Sequence, residues 1–401
     1  MINPSANGWI DKFFQEQGKL MTNNFTYELS LYKNIRKTGF IYGHVVEIDP
    51  SLTLDISHWK SDEISKVALL THLYSMYLFT QNDSDFKIFV EKTIEFYNQL
   101  SPKGFDLFDK ILSHSNSSKL ESIIRERIQT NKDIISKNFS HIVTNALLFV
   151  DVLAFRQFLM TGKISNKYIK NIEEIILSVV TLALKVKTIK SQNDDLLIKL
   201  FESSVRYSKF SIDNEKSKNK VLESLDFDHL SADLEKYYIL DLAGLTLWND
   251  AVIENDELYF LHKLAEKISI SDDFVNESVT DTDAFITKYK SEIQYFHYSN
   301  PVKHFYDQTT TGVQVLITRN KKRLTKEISE SKELMQLLAK STSKDLSPEE
   351  KKKVKKQILD ICKSIPSLTI FLLPGGGLLL PILIKFIPQL LPSAFNENLE
   401  D

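Results

Sequence analysis

From Asp62 onward, apolar residues recur at three- and four-residue spacing in one segment after another. That period commits the chain to helices that each bury one face. Behind Ser61-Asp-Glu, which can cap a helix start, Val67, Leu70, Leu73, Tyr74 and Tyr77 follow the pattern. Further helices are expected at Phe86–Leu100, Lys119–Thr130, His141–Thr161, Asn166–Lys187 and Asp194–Val205, with Gly162 as a C-cap glycine. Before Asp62 the pattern is mixed. Asp11–Gln17 and Phe25–Arg36 read as short amphipathic helices, and Ile41–Ile48 as a strand inside an irregular stretch. Only 11 Gly and 10 Pro punctuate 401 residues, which favours long helices over short strands joined by turns. A chain of this length is expected to form two or three packed units, and 25 Phe with 15 Tyr suffice to fill their cores.

The expected fold is therefore all-α: a multi-helix globular region, then a basic helix, then an apolar segment broken by Pro and Gly. Residues 1–60 form the mixed N-terminal segment, 61–300 the helical region, 301–363 the basic helical region, 364–395 the apolar segment and 396–401 an acidic tail. Ala146–Phe155 and Ile175–Leu184 are strongly apolar, but each is about half the length needed to cross a bilayer, so both read as core helices. A single cysteine, Cys362, excludes an intrachain disulfide and a Cys-rich metal site. The N-terminus lacks a basic n-region followed by an apolar h-region, so no cleaved signal is expected and the bulk of the chain is assigned to the cytoplasm.

Catalytic signatures are missing. There is no phosphate-binding Gly-x-x-x-x-Gly-Lys loop, no His-Glu-x-x-His and no Gly-x-Ser-x-Gly elbow. The nine histidines are scattered, and Pro301 separates His297 from His304. No catalytic residue, cofactor or metal is assigned, and a non-enzymatic role is expected.

The C-terminal third differs in charge. Between Arg319 and Lys363 stand 14 Lys or Arg against 7 Asp or Glu, a balance of +7 that leaves −10 for the remainder of a chain carrying −3. Leu324, Ile328, Met335 and Leu338 share one helical face. Ser347-Pro-Glu-Glu then supplies an N-cap, a proline at the first helical position and Glu350 to close a capping box. In the helix it opens, Val354, Ile358, Leu359, Cys362 and Ile365 share one face, while Lys351, Lys352, Lys355 and Lys356 largely occupy the other. Ser364–Ile384 follows as 21 residues without a charge, just long enough to cross a bilayer as one helix. Pro366, Pro374, Gly375–Gly377 and Pro381 argue against a regular helix, so two half-length pieces meeting at the glycines remain an alternative, as does a buried helix pair.

Two passages carry resemblances. Leu346-Ser-Pro-Glu-Glu through Asp360, Ser364-Ile-Pro, and Leu378 through Phe395 together resemble the core of the LETM family of mitochondrial inner-membrane proteins. The matching positions are Leu380, Pro381, Lys385, Phe386, Pro388, Leu391, Pro392, Ser393 and Phe395, with Pro366 and Pro374 in the same apolar segment. The resemblance implies a membrane segment and, for the family, cation/proton exchange. In mitochondrial members a ribosome-binding domain follows this motif, whereas here the chain ends at Asp401, and no EF-hand pattern occurs. Ribosome binding and calcium handling therefore gain little support from the resemblance. The arrangement is similar to LETM-related biofilm-associated proteins of Bacteroidetes. More faintly, residues 195–290 resemble the TerB-like helical domains, in which an acidic turn can hold a metal; the equivalents are Asp250, Asp256 and Glu257. Here Ala251 replaces the expected glycine, and acidic residues opening a helix suffice as an explanation.

Three functions are weighed, in this order. The first is a membrane-attached interaction or scaffold protein, placed at the inner membrane with its bulk cytoplasmic, for which the resemblance implies a link to biofilm formation. The second is a component of cation/proton exchange. The third is a soluble, cytoplasmic helical protein whose basic 319–356 region binds RNA or the ribosome. Candidate partners are membrane lipid, the ribosome, an unidentified protein and a second copy of the chain.

Overall fold

The computed structural model describes residues 2–23, 25–100, 115–129, 147–187, 194, 221–248, 253–290, 317, 320–343 and 346–365. All regular structure among these residues is helical, with no strand among them. The chain divides into two compact units, Met1–Asp55 with Ser61–Ser299, and Ile56–Lys60 with Asn300–Asp401.

The first unit contains α1 (Trp9–Gln17), α2 (Glu28–Lys37), α3 (Ser61–Gln81), α4 (Phe86–Leu100), α5 (Asn116–Gln129), α6 (Phe149–Thr161), α7 (Asn166–Val186), α8 (Asp233–Leu247), α9 (Asn255–Ile268) and α10 (Asp272–Tyr289). Two helices lie at its centre. In α3 every residue from Ser65 to Leu78 is buried, and in α8 every residue from Tyr238 to Leu247. A helix apolar on all sides belongs inside a core, and neighbours supply its cover: α3 packs on α4, α5 and α6, and α8 on α2, α7, α9 and α10. Aromatic rings join the first group, with Phe14 4.9 Å from Tyr74, Tyr74 5.0 Å from Phe89 and Phe96 5.2 Å from Phe155 between centroids.

Most helix boundaries fall within a few residues of expectation. The residues before 147 in the sixth helix, and Asp194–Val205 apart from Asp194, lie outside the described residues. Gly162 closes α6 in the left-handed region (φ 72°), and its N–H donates to the Phe158 carbonyl at 2.7 Å. The described part of the apolar Ala146–Phe155 run, residues 147–155, is core: within α6, Asp151 is buried and accepts hydrogen bonds from Arg127 of α5 and, at 2.9 Å, from the Tyr97 hydroxyl of α4. No helix among the described residues is long and apolar enough to cross a membrane.

The strand expected at Ile41–Ile48 does not form. Phe40–Tyr42 is instead a single 3-10 turn, bracketed by Gly39 and Gly43 in the left-handed region (φ 80° and 77°). The Val46 N–H returns to the Thr38 carbonyl at 3.0 Å, closing a loop where a ladder would have been. A side chain at Gly39 would bring its Cβ within 2.0 Å of the His44 carbonyl oxygen and 2.6 Å of the Phe285 ring. The alternation of apolar residues is real, but two left-handed glycines bend it out of extension.

In the second unit, residues 320–330 are helical, followed by α11 (Lys332–Ser343) and α12 (Pro348–Ser364). Its core joins Ile317, Leu324, Ile328, Leu334, Leu338, Leu346, Val354, Ile358, Ile361, Cys362 and Ile365. Reading 324–338 as one continuous face needs a correction. The helix breaks at Ser331, whose hydroxyl accepts from the Leu334 N–H at 3.3 Å. The break resets the register, so Leu334 is fully buried and Met335 only partly.

Candidate functional site

Two clusters of charged residues stand out, one buried and one exposed. The buried cluster links α2, α8 and α10. Asp241, in mid-helix, accepts from the Tyr32 hydroxyl at 2.6 Å, from the Ser278 hydroxyl, and from the Arg36 guanidinium at 3.4 Å. Arg36 reaches on to Glu277 at 2.6 Å and to Asp281. Burial pushes the Asp241 carboxyl above its ordinary range against the opposing pull of Arg36, and the same burial raises the Tyr32 phenol. Every polar group named here has a protein partner, so the cluster fixes three helices relative to each other.

Of the acidic residues singled out in the 195–290 region, Glu257 is engaged. Glu257 is buried at the start of α9 and accepts from the Glu254 N–H at 3.0 Å; Asp256 is exposed beside it, and Asp250 lies outside the described residues. Asp256 and Glu257 offset the positive end of the helix. Among the described residues no group of His, Cys, Asp and Glu could hold a metal ion. His72 is buried, with Nε2 3.3 Å from the Thr38 hydroxyl, and desolvation lowers it to about 4, the state of a neutral core histidine.

The exposed cluster is on α12. The Ser347 hydroxyl accepts from the Glu350 N–H at 3.3 Å, and the Glu350 carboxylate accepts from the Ser347 N–H at 2.8 Å, with Pro348 in the first turn. This capping box sets where the helix starts and therefore which residues face inward. Val354, Ile358, Ile361, Cys362 and Ile365 go to the core, and burial pushes the Cys362 thiol up to about 11. At about 100° per residue, Lys351, Lys352, Lys355 and Lys356 sweep an arc of roughly 140° that borders the seam at Lys351, next to Cys362, and runs away from it. All four are exposed.

The cations beside them are neutralised, two across to α11 and one within α12. Lys353 lies 3.0 Å from Glu333, Lys340 2.5 Å from Glu350 and Lys363 2.6 Å from Asp360. None of the four predicted lysines forms a salt bridge among the described residues. Lys321, Lys322 and Arg323, on the preceding helical stretch, are exposed in the same way; counting the basic run had included them, but helix-face reasoning had not singled them out. Such an array can bind a run of phosphates, because ammonium groups without carboxylate partners can neutralise phosphates and release the counterions condensed on them.

Residues 346–401 match the family model described as LETM1-like, RBD. The C-terminal segment is LETM1-like. The match opens at Leu346, one residue before the capping box, and takes in all four exposed lysines. It covers 56 of 401 residues, so it identifies this segment and not the helical body. No curated protein and no solved structure matches the chain. Of the LETM1-like motif positions, Pro366, Pro374, Leu380, Pro381, Lys385, Phe386, Pro388, Leu391, Pro392, Ser393 and Phe395 lie outside the described residues.

Proposed function

We propose that this chain is a membrane-attached, non-enzymatic interaction protein whose LETM1-like basic helix docks on ribosomal RNA. The observation that carries the reading is the exposed row Lys351, Lys352, Lys355 and Lys356, which forms no salt bridge among the described residues while the other lysines of α12 are paired. The matching family model supports it, because RBD denotes a ribosome-binding domain and the match spans the row itself. The match falls on the motif segment itself and not on a domain downstream of it.

Docking of this kind depends on salt. Co-sedimentation of the full chain with ribosomes is expected to lose roughly 50- to 150-fold in affinity between about 50 and 200 mM salt if the four lysines each displace counterions. Binding that does not change over that range would sink the ionic reading.

Membrane attachment rests on the uncharged stretch Ser364–Ile384 that follows the basic row. A basic flank beside an apolar segment keeps to the cytoplasmic side, which would leave the helical body inside. Carbonate washing of isolated membranes tests this: the chain should stay in the pellet, and full release into the supernatant would argue against an inserted segment.

A further inference from the structure

We infer that Glu333 is a specificity-determining residue of the phosphate-binding row, limiting it to four lysines by holding Lys353 out of it. The inference rests on the docking reading above and goes further by naming what bounds the surface.

Lys353 belongs to the same run as its neighbours, and sequence alone gives no reason to separate it. In the structure it points to the other helix of the hairpin. Its ammonium lies 3.0 Å from one Glu333 oxygen, while the Gln357 amide, one turn further on, donates to the second oxygen at 2.7 Å. The Ser331 hydroxyl donates to Gln357 in turn at 2.9 Å. Glu333 is therefore held by two side chains of α12, one on each oxygen, which a single-contact surface pair lacks. Lys353 and Gln357 also hold the Glu333 carboxyl below its usual range. At the other end of the hairpin, Glu350 is held by Lys340 and by the Ser347 N–H.

On the α11-facing edge of α12 Lys353 thus has a matched carboxylate, whereas Lys351, Lys352, Lys355 and Lys356 form no salt bridge among the described residues. A phosphate approaching Lys353 meets Glu333 about 3 Å away and is repelled as strongly as it is attracted. The polyanion is confined to a track along Lys351, Lys352, Lys355 and Lys356 and cannot straddle the α11–α12 edge.

The test compares salt slopes for binding of the full-length protein to polyuridylate. K352Q, which removes a member of the row, should lower the slope by about 0.7, the value for one single-strand phosphate contact. K353Q should leave it unchanged. E333Q should raise it by about 0.7 as Lys353 joins the row, and E333Q with K353Q should return to the wild-type slope. Glutamine at 333 keeps an acceptor for Gln357, and unchanged helical circular dichroism confirms the hairpin; if E333Q does unfold it, K353Q alone decides. A K353Q slope as low as that of K352Q, or an unchanged slope in a folded E333Q, overturns the role of Glu333 while leaving the docking reading intact. A wild-type protein that binds without salt dependence overturns both.

Discussion

Replacing Asp241 with alanine should destabilise the helical body by about 3 kcal/mol, read as a lowered urea midpoint of its helical circular dichroism. The aspartate is fully buried and is the common acceptor for Tyr32, Ser278 and Arg36. Removing it leaves the Arg36 guanidinium, only 2% exposed, balanced by Glu277 and Asp281 at the surface edge alone. It also strips an acceptor from two buried hydroxyls. An Arg36→Met, Asp241→Leu double variant should recover much of the loss, because a buried pair replaced by apolar groups costs far less than a buried charge left unmatched. A single variant with an unchanged midpoint would show that the cluster does not tie α2, α8 and α10 together.

The second large effect is expected at Asp151. Changing it to alanine should cost about 3–5 kcal/mol, since Arg127 is buried against it and the Tyr97 hydroxyl shares the same carboxylate. The informative comparison is Arg127→Met with Asp151→Leu. If α6 is a core helix whose one acidic residue is there to meet Arg127, the double variant should be more stable than either single change. A double variant worse than both would mean that the pair contributes more than its mutual neutralisation.

What sequence reveals here follows from how far apart the deciding residues are. The start of α12 is written within four residues, Ser347-Pro-Glu-Glu, and the exposed lysine row follows from it by helical period alone. Both were legible. The α3 and α8 helices were legible as helices, but not the partner of Asp241, because Arg36 lies 205 residues away and periodicity carries no information about such contacts. The cap of α1 is equally remote: Glu121, from α5, accepts from the Gly8 and Ile10 N–H groups at 3.0 Å each, where sequence shows only a glycine before the helix. Two errors have local causes. Ile41–Ile48 alternates like a strand, and the glycines at 39 and 43 that prevent it carry more weight than the alternation. Leu334 escaped notice because a serine cap at 331 interrupts a face that looks continuous. The pairing of Lys353 with Glu333 was also out of reach, since it depends on which side of α12 the hairpin covers.

The central claim is that the exposed lysine row is the surface that docks. Ribosome co-sedimentation of the full chain with Lys351, Lys352, Lys355 and Lys356 all changed to glutamine tests it most directly, since none of the four contributes to the core. At about 50 mM salt the variant should pellet no better than the wild type does at about 200 mM, with its salt slope reduced by roughly 3. Pelleting equal to the wild type at low salt, with the same slope, would contradict the account.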